Sequence, residues 1–136
     1  MSLNVSLLEQ SFARVRPNAT AFGADFYDTL FAAEPAARAM FAGTDMKTQQ
    51  KKLMDSIVLV IENLENGDVL ANALRGLGAR HVKFGVRAEH FPLVGAALLQ
   101  TFAKHLGPHW TPEVNRAWAD AYGAISALMT EGMEVS

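Results

Sequence analysis

The chain predicts an all-α fold of six to seven helices around a single core, and three observations carry that prediction. Apolar residues recur at spacings of three and four almost from end to end, no run alternates strictly, and each apolar stripe starts or stops at a capping residue, a proline or a glycine. Ser6 and Glu9 have the spacing of a capping box ahead of a first helix that carries Leu8, Phe12 and Val15. Pro17 ends that helix and suits the first turn of the next, where its missing N–H would have no partner. The second helix sets Phe22, Phe26 and Leu30 on one face, with Tyr27 beside them. Pro35 opens a short helix ending near Phe41, and Gly43 breaks the chain. Asp45 or Thr44 can cap a long helix whose stripe of Leu53, Ile57, Val60, Ile61 and Leu64 continues backwards through Gln49 and Met46. Asn66, Gly67 and Asp68 turn the chain into a helix with Leu70, Leu74, Leu77 and His81 on one face, expected to stop near Phe84 and Gly85. Pro92 opens a helix lined by Phe91, Val94, Leu98, Phe102 and Leu106, which Gly107 and Pro108 end; His105 and His109 flank that break and read as loop residues. Thr111 caps the last helix and Pro112 begins it, with Trp118, Ala121, Tyr122, Ile125 and Leu128 facing inward.

A length of 136 residues leaves room for one domain, residues 1–136, with one core. Half the residues are hydrophobic, enough to line an interior and enclose a ligand as well. The net charge is −2 and no segment concentrates basic residues, so nucleic acid is not an expected partner. Lys47, Lys51 and Lys52 are interrupted by Thr and Gln and read as a solvated helix face. The absence of cysteine excludes disulfides, thiolate metal sites, iron–sulfur clusters and attachment of a prosthetic group through Cys-x-x-Cys-His. The longest apolar run, Phe91 to Leu99, falls well short of the ~20 residues that span a bilayer, and no basic stretch followed by an apolar one opens the chain. The expectation is a cytoplasmic protein with no membrane partner.

Few chemical constellations survive inspection. A carboxylate-bridged metal bundle needs Glu-x-x-His pairs, and none of the four histidines has Glu or Asp three residues before it. No Gly-rich phosphate loop or nucleophile motif is present. What remains is three polar residues on or beside apolar faces: Tyr27, Gln49 and His81. Each has an ordinary reading. Tyr27 can reach solvent with its hydroxyl, Gln49 can sit at the boundary of a helix start, and His81 can satisfy both ring nitrogens inside the core. A single buried metal complex with a polar ligand accounts for all three together, with His81 on the metal from one side and Tyr27 and Gln49 donating hydrogen bonds on the other.

The order of these features resembles the globin family, in particular the single-domain bacterial haemoglobins and the globin module of flavohaemoglobins. The resemblance rests on Phe26-Tyr27-Asp28-Thr29-Leu30-Phe31, Glu34-Pro35 and Met40-Phe41, and on Leu77-Gly78-Ala79-Arg80-His81-Val82-Lys83-Phe84-Gly85-Val86. His90-Phe91-Pro92-Leu93-Val94-Gly95 and Ala117-Trp118 with Ala121-Tyr122-Gly123 extend it over nearly the whole chain. It implies a globin fold, three helices over three, around a non-covalent haem b. His81 then resembles the proximal iron ligand, Phe41 the ring on the haem face, and Tyr27 with Gln49 the pair that contacts bound dioxygen. Leu53, Ile57, Leu77, Val86, Phe91 and Val94 complete the cofactor lining. The segment from Phe41 to Gln49 is about one residue longer than in relatives, which leaves Gln50 as an alternative to Gln49.

The implied function is reversible, high-affinity binding of dioxygen and other diatomic ligands, as in oxygen storage or delivery. Nitric oxide dioxygenation with a separate reductase is the alternative. Two positions depart from the flavohaemoglobin pattern: Phe91 stands where a Tyr is expected and Met133 near an expected Glu, with Glu131 and Glu134 only close by. Without those acceptors the proximal imidazole is less electron-donating, which favours oxygen binding over activated oxygen chemistry.

Overall fold

The computed structural model describes residues 4–82 and 90–135, with the backbone alone at 81, 82, 134 and 135. Among the described residues it contains α1 (Val5–Val15), α2 (Ala19–Ala33), α3 (Pro35–Met40), α4 (Met46–Glu62), α5 (Gly67–Val82), α6 (Phe91–Leu106) and α7 (Pro112–Val135). Short 3₁₀ turns at Arg16–Asn18 and Gly107–His109 join α1 to α2 and α6 to α7. The all-α expectation holds, and every helix that the periodicity predicted is present.

Several boundaries follow the expected chemistry. Asp45 caps α4 by accepting from the Lys47 N–H at 3.2 Å and the Thr48 hydroxyl at 2.8 Å. Thr111 Oγ1 accepts from the Val114 N–H at 3.2 Å and caps α7. The Asn66 carbonyl accepts the Leu70 N–H at 3.0 Å as α5 begins. Gly43 and Gly107 turn the chain at φ of 79° and 53°, a region that side chains disfavour.

Three expectations need correction. The Ser6–Glu9 capping box does not form, because Asn4 lies two residues earlier and accepts the Leu7 N–H at 3.2 Å, leaving Ser6 inside the helix to accept from Gln10 Nε2 at 2.9 Å. Pro17 sits in the 3₁₀ turn and α2 begins only at Ala19. His105 is not a loop residue: it occupies the last turn of α6, where its Nε2 donates to Asp25 Oδ2 at 2.7 Å and its ring lies 5.3 Å from that of Phe22. Lys104 Nζ approaches the same oxygen at 3.3 Å. The His105 hydrogen bond, and then Lys104, hold the Asp25 carboxyl below the usual carboxylate range despite the opposing effect of burial.

The helices form two layers of three. In one, α2 packs on α6 and α6 on α7; across them α1 meets α6 and α7, α4 crosses α2, and α5 lies along α7. The short α3 adjoins α2. The larger core gathers α1, α2, α6 and α7 around Phe102, whose ring stacks on Trp118 at 4.1 Å and lies 4.7 Å from that of Phe22 and 6.2 Å from that of Trp110. A second, smaller cluster joins Val60, Leu70, Leu74, Phe91 and Met129 under α5. No helix among the described residues is long and apolar enough to cross a membrane.

Inside the larger core Trp118 Nε1 donates to Ser11 Oγ at 2.8 Å, and Ser11 passes its own proton to the Leu7 carbonyl at 2.7 Å. Ser11→Ala strands the indole N–H without an acceptor, an expected loss of about 1–3 kcal/mol in denaturant unfolding. Unchanged stability would mean that the indole had found another partner.

Candidate functional site

The candidate site is built where α2 crosses α4. A Cβ placed on Gly23 would lie 3.0 Å from the Cβ of Gln50, so the two helices approach as closely as they do because residue 23 has no side chain. One turn beyond Gly23, Tyr27 faces α4, and Gln49 Nε2 donates to its hydroxyl oxygen at 3.1 Å. Of the two adjacent glutamines, Gln49 makes this bond and Gln50 packs its stem beside Gly23. The backbone starts the geometry and the side chains complete it.

Tyr27 is only 5% exposed. Its ring packs edge-on against Phe26 at 4.8 Å and Phe41 at 5.5 Å, and lies 6.0 Å from Phe31. Burial raises the phenol pKa above its ordinary value of 10.0, and the Gln49 hydrogen bond opposes that only in part. A hydroxyl carries one proton and can accept twice. Gln49 occupies one acceptor position, and among the described residues none accepts the Tyr27 proton. The result is a buried hydroxyl packed among aromatic rings, with no acceptor for its proton among the described residues.

The remaining predicted lining residues divide between two apolar clusters. Ile57 is buried in the cluster that holds Tyr27, with Phe41, Leu53 and Val94 half-buried against it. Phe91 is buried in the cluster under α5, and Leu77 packs against it. His81 stands in the last turn of α5, one turn beyond Leu77 on the same stripe, and its side chain lies outside the described residues. Val86 also lies outside them, as do Phe84 and Gly85, where α5 was expected to stop.

Tyr122 was read from the sequence only as an inward-facing residue, and its contact is more specific than that. Its hydroxyl donates to the Phe91 carbonyl at 2.8 Å. Its ring covers Gly95, where a Cβ would come within 2.7 Å of ring carbon Cε2. The contact pins the start of α6, and with it the buried Phe91 ring, to α7. Burial raises the Tyr122 pKa as well. A glycine on the inward face of α6, four residues after Phe91, was the available signal that something large lay across it.

At the two departures the second cluster is apolar. Phe91 offers no side-chain acceptor, Met133 is half-buried in the cluster, and Glu131 is turned to the surface, where it reaches Arg75 at 3.8 Å with both side chains about half exposed. The side chain of Glu134 lies outside the described residues.

Comparison with known proteins converges on one family. The sequence model of the Globin family matches residues 24–129. A flavohemoprotein of Rhizobium meliloti is 34% identical over 111 residues, which cover 80% of this chain and 27% of that protein. A flavohemoprotein of Rhodopirellula baltica is 30% identical over 91% of this chain and 31% of its own length. An uncharacterized globin-like protein of Aquifex aeolicus is 30% identical over 92% of this chain and 88% of its own length. The chain thus spans between a quarter and a third of these two flavohemoproteins and most of the globin-like protein.

The chain has two tyrosines, and burial raises both above the ordinary value of 10.0. The folded, haem-free protein should therefore show little phenolate absorbance at pH 10, where unfolded tyrosine is about half ionised. Because the unfolded chain loses these protons first, stability should fall as pH rises through 10. A spectrophotometric titration reads both effects, and half-ionisation of the native protein at pH 10 would contradict the burial of Tyr27.

Proposed function

This chain belongs to the globin family, and from that premise we propose that it holds haem b non-covalently and binds dioxygen reversibly and tightly. The observation that carries the proposal is the buried Tyr27 hydroxyl, which accepts the Gln49 N–H and keeps its own proton available. Such a donor suits a pocket that receives a polar ligand. Haem supplies the ferrous centre at which a diatomic ligand is taken up.

The residues proposed to hold it are His81 as the iron ligand, Phe41, Leu53 and Ile57 on the side of Tyr27, and Leu77, Val86, Phe91 and Val94 around the remainder. Tyr27 donates to the ligand; Gln49 orients the phenol through its N–H and adds an amide dipole beside it. The aromatic ring of Phe41 against Tyr27 leaves the phenol little rotational freedom. Hydrogen bonds to charged acceptors contribute about 1.5–3 kcal/mol. At about 1.4 kcal/mol per factor of ten, the Tyr27 hydroxyl should slow ligand release by roughly ten- to a hundredfold. The proposed setting is the cytoplasm, with an electron donor that keeps the iron reduced.

The likeness to flavohemoproteins favours one second reading, conversion of nitric oxide and dioxygen to nitrate with one electron from a separate reductase. Phe91 and Met133 weigh against it as the main activity, because neither side chain is the strong acceptor that would raise the basicity of the His81 imidazole. Nitrate formation that keeps pace with an added reductase would promote this reading to first place.

The purified protein should show a strong haem absorption band, give an oxygenated spectrum that persists for minutes after reduction and exposure to dioxygen, and lose that spectrum in His81→Ala. A protein that takes up no added haem would overturn the proposal. Tyr27→Phe should speed oxygen dissociation in stopped-flow mixing by about tenfold or more. An unchanged rate would remove Tyr27 from ligand stabilisation.

A further inference from the structure

Helices α5 and α7 run antiparallel and touch backbone to backbone. A Cβ built on Gly78 would fall on the carbonyl group of Met129, and a Cβ built on Gly132 would fall on the carbonyl group of Arg75. The two contacts are reciprocal and lie one turn apart on each helix: each glycine admits the backbone of the other helix. Glycine is a poor residue for a helix interior, so its presence at both points needs a reason, and the close approach supplies one.

Two other glycines in the same helices show that this is a property of position. A Cβ on Gly76 would meet only Arg80 Nη1, at 3.6 Å, and a Cβ on Gly123 would have nothing within 4 Å. They share the residue type and the helices but take no part in the contact.

What hangs on the contact is α5. Helix α7 is seated in the larger core through Val114, Ala117, Trp118 and Ala121, whereas α7 is the principal neighbour of α5. His81 follows Gly78 by one turn, and the antiparallel register sets it level with Ser126 of α7. A rigid helix passes any displacement at Gly78 on to His81 with little loss over so short a span.

We infer that Gly78 and Gly132 are positioning residues for the cofactor: their contact sets the separation of α5 from α7 and thereby where His81 meets the iron, although neither glycine touches haem. The inference rests on the haem-binding reading with His81 as ligand. It concerns the His81 side of the site alone, since Tyr27 and Gln49 are carried by α2 and α4 and fixed at a different crossing, that of Gly23 on Gln50.

The test uses full-length protein reconstituted with haem and four variants: Gly78→Ala, Gly132→Ala, Gly76→Ala and Gly123→Ala. Resonance Raman spectra of the ferrous, ligand-free state report the iron–histidine stretch, and transfer of haem to excess apomyoglobin reports the rate of haem loss. Gly78→Ala and Gly132→Ala should both shift the stretch and speed haem loss at least tenfold, while the other two stay at the wild-type values. In a His81→Gly background with added imidazole the iron ligand is no longer tied to α5, and Gly132→Ala should then leave the iron–imidazole stretch unmoved. Wild-type stretch and haem loss in both contact variants would overturn the inference even if their stability had fallen. So would a shift that persists with imidazole, or a failure of both variants to fold, which would make the contact a requirement of the fold. A wild-type protein without haem, or an iron–histidine stretch that survives in His81→Ala, would instead overturn the haem reading beneath it.

Discussion

Close approach of helices, permitted only where a side chain is missing, is the constraint on which the rest of this structure depends. It occurs at two crossings. Gly23 lets α2 close on α4, and that closure puts the Gln49 amide within 3.1 Å of the Tyr27 hydroxyl. Gly78 and Gly132 let α5 close on α7, and α5 is the helix that carries His81. The first crossing borders the ring-filled core around Phe102, which takes in Tyr27 from α2 and Ile57 from α4; the second lies outside it but is tied to it through α7. Tyr27 is thus carried by an anchored helix, whereas Gln49 and His81 are carried by the helices that close on the anchored ones.

The two sides of the site differ in how much polarity they can offer. Around Tyr27, aromatic packing surrounds a phenol whose hydroxyl meets a single amide. Around Phe91 and Met133 the second cluster is apolar among the described residues, and the ion pair of Arg75 with Glu131 is about half exposed and therefore weak. A carboxylate near an imidazole ligand increases electron donation to a metal, and a hydrocarbon or thioether neighbour does not. On the proposed reading this arrangement holds a ligand well by its outer atom while leaving its internal bond little weakened, which is a carrier's distribution of effort more than a catalyst's.

Much of the fold was legible because helices declare themselves by period and by punctuation. Asp45, Thr111, Pro35, Gly43 and Gly107 each mark a boundary by a local rule that the structure obeys. The errors fell where two local rules competed: Asn4 displaced Ser6 from the first cap, and His105, beside the break at Gly107 and Pro108, was expected in the loop although α6 runs to Leu106 as its apolar stripe predicts. Tyr27 and Gln49 could be singled out because polar groups on apolar faces break a pattern. Their mutual hydrogen bond could not be, since it depends on the closeness of two helices far apart in sequence. Gly23, Gly78 and Gly132 were invisible for the same reason: from sequence alone a glycine that admits a neighbouring helix looks like Gly76 or Gly123, which admit none. Tyr122 pointed inward as read, but its bond to the Phe91 carbonyl belongs to tertiary structure.

The ring stack at the centre of the larger core also decides what light can report about this protein. The chain has two tryptophans, and both rest on Phe102, Trp118 at 4.1 Å and Trp110 at 6.2 Å. Among the described residues the cluster under α5 contains neither. Intrinsic fluorescence therefore watches the junction of α1, α2, α6 and α7 and is blind to the segment that bears His81. Were α5 to peel from α7 while the larger core stayed closed, the emission of the apoprotein would hardly change, and amide exchange along residues 67–82 would be the signal that registered it.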